Sequence, residues 1–276
     1  MRSVAIAGVG LIGGSLGLAL RRAGFTGEIM GVQSERSAAA IRAGAIDRAV
    51  TLEEAAAAAE VIYLAQPISA ILSTVQRLGS LVRPEMLVTD AGSTKVEICR
   101  QAATSLRAGE FLGGHPMAGK ATQGVSEADP LLFSGRTYVL TPTSGVRPQS
   151  RLAATFAEWL ERCGARVRIM TPERHDTVVA LTSHLPQVLS TTLGVVLAGL
   201  DDESLTVSGP GLLDMTRLAQ SSYDIWRDIL VTNDTAVQHA LDVYIDKLTE
   251  LRHNMQTQRL DEDFRIGART AGRLRR

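Results

Sequence analysis

Val4-Ala5-Ile6-Ala7-Gly8-Val9-Gly10-Leu11-Ile12-Gly13 is the stretch whose reading decides the fold. An apolar run suited to a strand ends in a glycine, and two further glycines lead into a helical pattern from Leu11 to Ala23. Gly8 permits a tight turn, Gly10 lets the backbone approach a pyrophosphate, and Gly13 lets the helix lie close on the strand. The free N–H groups at the helix start then face phosphate charge. A glycine turn without a ligand is the competing reading, and the strand before and helix after it argue against that. The loop with Leu11 and Ile12 therefore predicts a dinucleotide site.

Working outward, short apolar runs alternate with helical patterns. Glu28 to Val32, Val61 to Ala65 and Met86 to Thr89 read as strands, with helices such as Ser37 to Ala43 among them. Arg136 to Thr141 and Arg166 to Met170 read as later strands, separated by a helix near Gln149 to Cys163. Strands joined by helical crossovers predict a parallel sheet covered on both faces. After Met170 strand signals nearly vanish. Thr177 to Leu200, Leu212 to Gln220, Tyr223 to Thr232 and Thr235 to Gln258 all read as helical. The last carries an apolar stripe at Val237, Leu241, Tyr244, Ile245, Leu248 and Leu251. The expected class is α/β: a Rossmann-like dinucleotide-binding domain over residues 1–171, then an all-helical dimerisation and substrate domain over 172–276. Helices this apolar in so small a unit need a second copy to cover them, which predicts a homodimer. The tail beyond Asp261, with Arg265, Arg269, Arg273, Arg275 and Arg276, reads as a frayed, solvated end.

Composition narrows the function. The 276 residues are 45% hydrophobic and 21% charged with zero formal net charge, so nothing global steers the chain to nucleic acid or an anionic membrane. Two cysteines, Cys99 and Cys163, show no metal-like spacing and form no disulfide framework, which suits a reduced cytoplasmic setting. No signal peptide is visible ahead of the first strand, and none is expected. Thr177 to Leu200 lacks charged residues, but His184, Pro186, Gln187 and several hydroxyls mark it as buried within protein, not in a membrane.

The second strand should select the cofactor. Gln33 stands where an NAD enzyme places a carboxylate for the ribose hydroxyls. Ser34 and Arg36 could hold a 2′-phosphate, which favours NADP; Glu35 could instead restore NAD selectivity, and Arg36 could be only a solvated surface charge. Gln66 and Pro67, at the end of the Val61 to Ala65 strand, complete the expected cofactor set. Three other segments look chemical: Asp90-Ala91-Gly92-Ser93-Thr94-Lys95 at a strand end, Gly113-Gly114-His115-Pro116-Met117-Ala118-Gly119, and Asp214-Met215-Thr216-Arg217 with Trp226 beyond it. A histidine in a flexible loop of glycines lacks the apolar periodicity of a core residue, so His115 reads as functional. Alone, Ser93 would more often cap a helix and Arg217 would more often be a surface charge.

Together with Ser183-His184-Leu185-Pro186, these segments resemble the prephenate and arogenate dehydrogenases of tyrosine biosynthesis, in the family's order over nearly the whole chain. The resemblance implies oxidative decarboxylation of a cyclohexadienol, prephenate to 4-hydroxyphenylpyruvate, arogenate to tyrosine, or both in a dual-specificity cyclohexadienyl dehydrogenase, with hydride passing to NAD or NADP. It implies that His115 is the catalytic histidine, that Ser93 lies near it and the nicotinamide, and that Arg217 grips a substrate carboxylate. Asp214, Trp226, His184 and Gln187 would flank the substrate, and the pair His175-Asp176 is read as structural. Two departures leave the substrate open. Gln187 stands where many members carry a second histidine, and Lys120-Ala121-Thr122-Gln123-Gly124 lacks the glutamate many carry there. With the chain opening almost at the first strand and ending soon after the last helical pattern, no mutase domain is expected ahead and no regulatory domain behind. Other two-domain dehydrogenases would need a catalytic lysine, and the helical part has only Lys247, inside a long helix. A non-catalytic dinucleotide-sensing dimer would leave His115, Ser93 and Arg217 unexplained.

Overall fold

The computed structural model describes residues 1–120, 122–143, 147–257 and 260–275. Ala121, Gln258 and Arg276, named in the sequence reading, lie outside them. The strands are β1 (Ser3–Ala7), β2 (Glu28–Val32), β3 (Arg48–Val50), β4 (Val61–Leu64), β5 (Leu87–Asp90), β6 (Glu110–Pro116), β7 (Thr137–Pro142) and β8 (Arg166–Ile169). They form one sheet in the order β3-β2-β1-β4-β5-β6-β7-β8. All pairs are parallel except β6 with β7.

The period of two along each strand builds both cores. Val4 and Ile6 of β1, with Val61 and Tyr63 of β4, face one way. There they meet α1 (Leu11–Arg22) through Leu16 and Leu20; Phe156 and Leu160 of the helix Arg151–Arg162 join them. Ala5 and Ala7, with Ile62 and Leu64, face the other way. They meet α3 (Leu52–Ala58) and α4 (Ile68–Leu78) through Leu52, Ile71 and Val75, whereas Ala40 of α2 (Ser37–Arg42) packs into the first core. Each fully buried Ile or Leu contributes roughly 1.5–3 kcal/mol. β3 escaped the sequence reading because it is a three-residue edge strand whose Arg48 points to Glu28, not to either core.

Chain order places β2 and β3 on one side of β1, and β4 to β6 on the other. A crevice opens where the winding reverses, at the carboxyl ends of β1 and β4. Helix α5 (Val96–Ser105) follows β5 beside that edge, and α6 (Arg151–Arg162) joins β7 to β8.

Pro172 begins the helical part. Thr171 caps α7 (Pro172–Val179) by accepting from the Arg174 N–H at 3.2 Å. The chain continues through a π-helical turn at Ala180–His184 into α8 (Leu185–Leu197). Pro186 lacks the N–H that would bond Thr182, which accounts for the wider turn. The segment expected as one helix from Thr177 to Leu200 is thus two helices with a bulge, starting earlier. Then come α9 (Asp202–Leu205), α10 (Pro210–Thr216), a 3-10 turn at Arg217–Gln220, α11 (Tyr223–Thr232), α12 (Asp234–Thr257) and α13 (Asp261–Leu274). The last corrects the expectation of a frayed tail. Asp261, Glu262 and Asp263 suit the positive end of a helix dipole, and Arg265 and Arg269 pair back to Asp261 and Glu262.

The helical part has a small core of its own, built on Ala180, Leu185, Val237 and Ala240. Its outer surface keeps Val196, Val231, Ile245 and Leu248 exposed, Val196 and Val231 at 70% each. The stripe on α12 therefore splits: Val237 is buried within the subunit, while Ile245 and Leu248 face outward. No helix among the described residues is long and apolar enough to cross a membrane.

Candidate active site

The glycine loop has the geometry its sequence implies. Gly8 has φ +93°, and a Cβ there would strike the Ala65 carbonyl of β4's extension. A Cβ on Gly13 would strike the Gly8 carbonyl and Ile6. At Gly10 the one neighbour of an added Cβ among the described residues would be Arg36 Nη1, at 3.4 Å. Helix α1 starts at Gly10 with no side-chain cap and no acid in its first turn, so its leading N–H groups are left for an anion. Ile12, Gln66, Pro67 and Ser93 line an adjoining cleft of about 370 Å³, closed from the helical side by Ser222, Asp224 and Asp228. This cradle fits a dinucleotide: backbone donors at one end, a cation beside the loop, and an apolar and polar cleft onward. Gln33, Ser34, Glu35 and Arg36 are all exposed past β2.

Across the cleft, a second cluster is buried. Asp90 ends β5, and its carboxylate accepts from the N–H groups of Gly92 at 2.7 Å and Gly114 at 3.0 Å. Lys95 is fully buried; its ammonium pairs with Asp90 and donates to the Gly114 carbonyl at 2.8 Å. These bonds bolt the end of β6 in place. Gly114 has no room for a side chain, since a Cβ would meet the Asp90 carbonyl. The next residue, His115, is 8% exposed. Its Nδ1 lies 2.8 Å from Nε2 of His175, whose Nδ1 lies 2.7 Å from the Asp176 carboxylate. Asp176 also accepts from the N–H groups of Lys95 at 2.8 Å and Val96 at 2.9 Å, the start of α5. Asn233 donates to the Asp176 carbonyl at 2.9 Å and to His184 Nδ1 at 3.2 Å.

Burial disfavours charge on all three histidines. It holds His115 well below the ordinary histidine range, helped by His175 when that ring is protonated, by Lys95, and by His184 when protonated; a neutral His175 instead offers its Nε2 lone pair to His115. It lowers His175 against the opposing pull of Asp176, and lowers His184 to about 4.

The helical part contributes side chains of a different kind. Arg217 opens the turn after α10, exposed, and no described residue pairs with it. Asp214 is exposed nearby and equally unpaired. Gln187 is buried and donates to the Leu218 carbonyl at 2.9 Å, bracing the turn that carries Arg217. Trp226 stands edge-on to His184, ring centres 5.9 Å apart, with its N–H on Ser221.

Residues 16–169 match the nucleotide-binding domain of prephenate dehydrogenase, and residues 171–266 match its dimerization domain. The chain belongs to the prephenate dehydrogenase family. A prephenate dehydrogenase of Bacillus subtilis (strain 168) is 32% identical over 95% of this chain and 72% of its own length. The crystal structure of Synechocystis arogenate dehydrogenase is 32% identical, covers 98% of each chain and superposes with TM-score 0.83. The prephenate dehydrogenase of A. aeolicus, solved with hydroxyphenyl propionate and NAD+, is 28% identical, covers 100% of this chain and 98% of its own, and superposes with TM-score 0.88. The expected fold class is confirmed: a Rossmann-like domain followed by a helical one. As a member of this family, the chain is a nicotinamide-dependent dehydrogenase.

Within this dehydrogenase, two expectations change. His115 does not sit in a flexible loop; it is part of β6, and its glycine neighbours are small because Asp90, Thr141 and Tyr138 press against them. His175-Asp176, read as structural, caps the start of α5 and also touches His115. Ser93 is no helix cap; α5 begins at Lys95 without a side-chain cap of its own, and Asp176 supplies one from α7. Ser93 instead shares the cleft with Ile12, Gln66 and Pro67, and neither His115 nor Arg217 lines that cleft. Lys247, the lysine a rival dehydrogenase would need, is ion-paired to Glu250 and Asp263. Asn233 was missed, and nothing local in the sequence marks it; its role comes only from where α11 ends.

Proposed function

We propose that this dehydrogenase converts prephenate to 4-hydroxyphenylpyruvate by oxidative decarboxylation in tyrosine biosynthesis. The observation that carries the reading is His115, a buried imidazole kept neutral at the carboxyl end of β6. A nicotinamide, when bound, supplies the hydride acceptor. His115 then takes the proton of the substrate hydroxyl as the carbinol carbon is oxidised. Ser93, at the cleft, holds that hydroxyl near the nicotinamide end. Arg217, an exposed guanidinium with no partner among the described residues, binds a substrate carboxylate and fixes orientation. Asp214, Gln187, His184 and Trp226 shape the same pocket. Loss of carbon dioxide leaves an aromatic ring, which drives the step forward.

Arogenate is the second reading. Support comes from the Synechocystis relative and from Gln187, whose amide is spent on the Leu218 carbonyl where a second histidine would otherwise stand. For the cofactor, Arg36 beside Gly10 and the uncharged Gln33 support NADP being used at least as well as NAD. The outward apolar residues of α8, α11 and α12 support a homodimer through the helical part, with domains meeting at residue 171. Two free cysteines accord with a cytoplasmic setting. Steady-state kinetics over prephenate and arogenate, each with NAD+ and NADP+, test the proposal, and the same sample should sediment as a dimer. Prephenate turnover is expected with either cofactor; no turnover in any of the four combinations would overturn it.

A further inference from the structure

We infer that His175 and Asp176 are positioning residues that fix which nitrogen of His115 carries its proton and share the charge when it becomes an acid. The inference rests on His115 being the base, as set out above. The logic begins at Asp176. Its two carboxylate oxygens receive three N–H donors: Lys95 and Val96 from the backbone, and Nδ1 of His175. A carboxylate only accepts, so the proton of neutral His175 must sit on Nδ1. Nε2 of His175 is then a bare lone pair. It lies 2.8 Å from Nδ1 of His115, too close for two lone pairs to face each other. Nδ1 of His115 therefore donates, and in the neutral ring Nε2 of His115 is left unprotonated. That is the nitrogen free to accept a substrate proton. The other tautomer of His115 would have its base turned into the protein and its N–H outward, and it would be inert as a base.

Asp176 cannot turn away from this task. Its oxygens cap α5, which has no cap of its own, and Asn233 fixes its main chain by donating to the Asp176 carbonyl. The relay is thus built into the docking of the helical part on the sheet.

When the substrate O–H breaks, the proton goes to Nε2 of His115 and the ring becomes cationic. Its Nδ1–H points at the His175 lone pair, and the His175 Nδ1–H points at a carboxylate. The positive charge is spread toward Asp176 along that line. From β5 and the loop after it, Asp90 and Lys95 face the site; from α7, His175 and Asp176; from the π turn, His184. Lys95 is already paired with Asp90, so Asp176 is the carboxylate left to answer the new charge. Loss of the relay therefore makes the imidazolium harder to form.

Two kinds of measurement test this. Long-range ¹H–¹⁵N spectra of the ring-labelled wild-type protein read the tautomer without any assay. His115 should show a protonated Nδ1 and a bare Nε2; a protonated Nε2 overturns the inference. In parallel, His175→Leu removes the acceptor, and His175→Gln restores one through its Oε1 while breaking the link to Asp176. In His175→Leu kcat should fall about 10–100-fold, on the scale of losing a partner that orients a metal-bound histidine. The affinity for NAD+ should stay unchanged, and the acidic limb of kcat/KM should move to lower pH. His175→Gln should recover part of kcat. If Leu and Gln are equally poor, with the acidic limb unmoved, His175 is only structural and the inference fails. A His115→Asn enzyme that turns over normally would sink the base assignment instead, leaving the tautomer measurement standing.

Discussion

The cofactor cradle follows the carboxyl end of β1 and the histidine cluster gathers at the carboxyl end of β6, but the two are specified in opposite ways. The cradle is contiguous: Gly8, Gly10 and Gly13 lie within six residues, and each acts through the space its missing side chain leaves. The cluster is scattered. Asp90, Lys95, His115, His175, Asp176, His184 and Asn233 meet only when β5, β6, α7 and α11 have packed together. A backbone cradle tolerates changes around it, because its donors are peptide groups. A side-chain relay does not, because each member's proton depends on the next. Removing one member should therefore cost more in the cluster than at the rim of the cradle.

His115→Asn should show the largest effect. Asparagine can keep a hydrogen bond to His175 but cannot take a proton. Turnover should fall about a hundredfold or more, while binding of NAD+ measured by fluorescence titration survives. Turnover like the wild type's would erase the contrast between the two regions. Arg217→Ala should come next and fall on KM. The guanidinium is exposed and unspent before substrate arrives, so its loss leaves no buried partner stranded. An increase in KM of about ten- to a hundredfold is expected, less than for a fully enclosed ion pair. An unchanged KM would mean that another cation holds the carboxylate.

This contrast also sets what could be read from the sequence. The glycine loop, the short apolar runs of β1 and β4 set between helical patterns, and the change to helices at Thr171-Pro172 are all local signals, and they predicted the architecture. His115 was found by its motif, but its surroundings were misjudged. A run of glycines reads as a flexible loop, and only the structure shows Asp90 and Tyr138 pressing against Gly114. The partnership of His115 with His175 spans 60 residues and left no periodic trace. Asp176 was read with His175 as structural, but nothing local showed that the helix it caps is α5, 80 residues away. The tail was misread for a simpler reason. Counting its arginines hid the three acids at its start, whose spacing supports a helix.

The smallest expected effect lies at the rim of the cradle, and it sharpens the comparison most. Arg36 is exposed, yet its guanidinium reaches within 3.4 Å of the space beside Gly10. Gln33 leaves the end of β2 without the carboxylate that would accept from ribose hydroxyls and repel a 2′-phosphate. Attraction by one surface cation is modest and screened by salt. Arg36→Ala should thus raise KM for NADP+ several-fold and leave NAD+ little changed, with the gap narrowing at high ionic strength. Gln33→Asp should shift preference the other way, toward NAD+. Glu35 is the opposing group, exposed on the same loop, and if it turns inward the wild type will already prefer NAD+. A strong wild-type preference for NAD+, with Arg36→Ala leaving both cofactors alone, would reduce Arg36 to a surface charge. The selectivity of the cradle would then lie in its backbone, as its binding does.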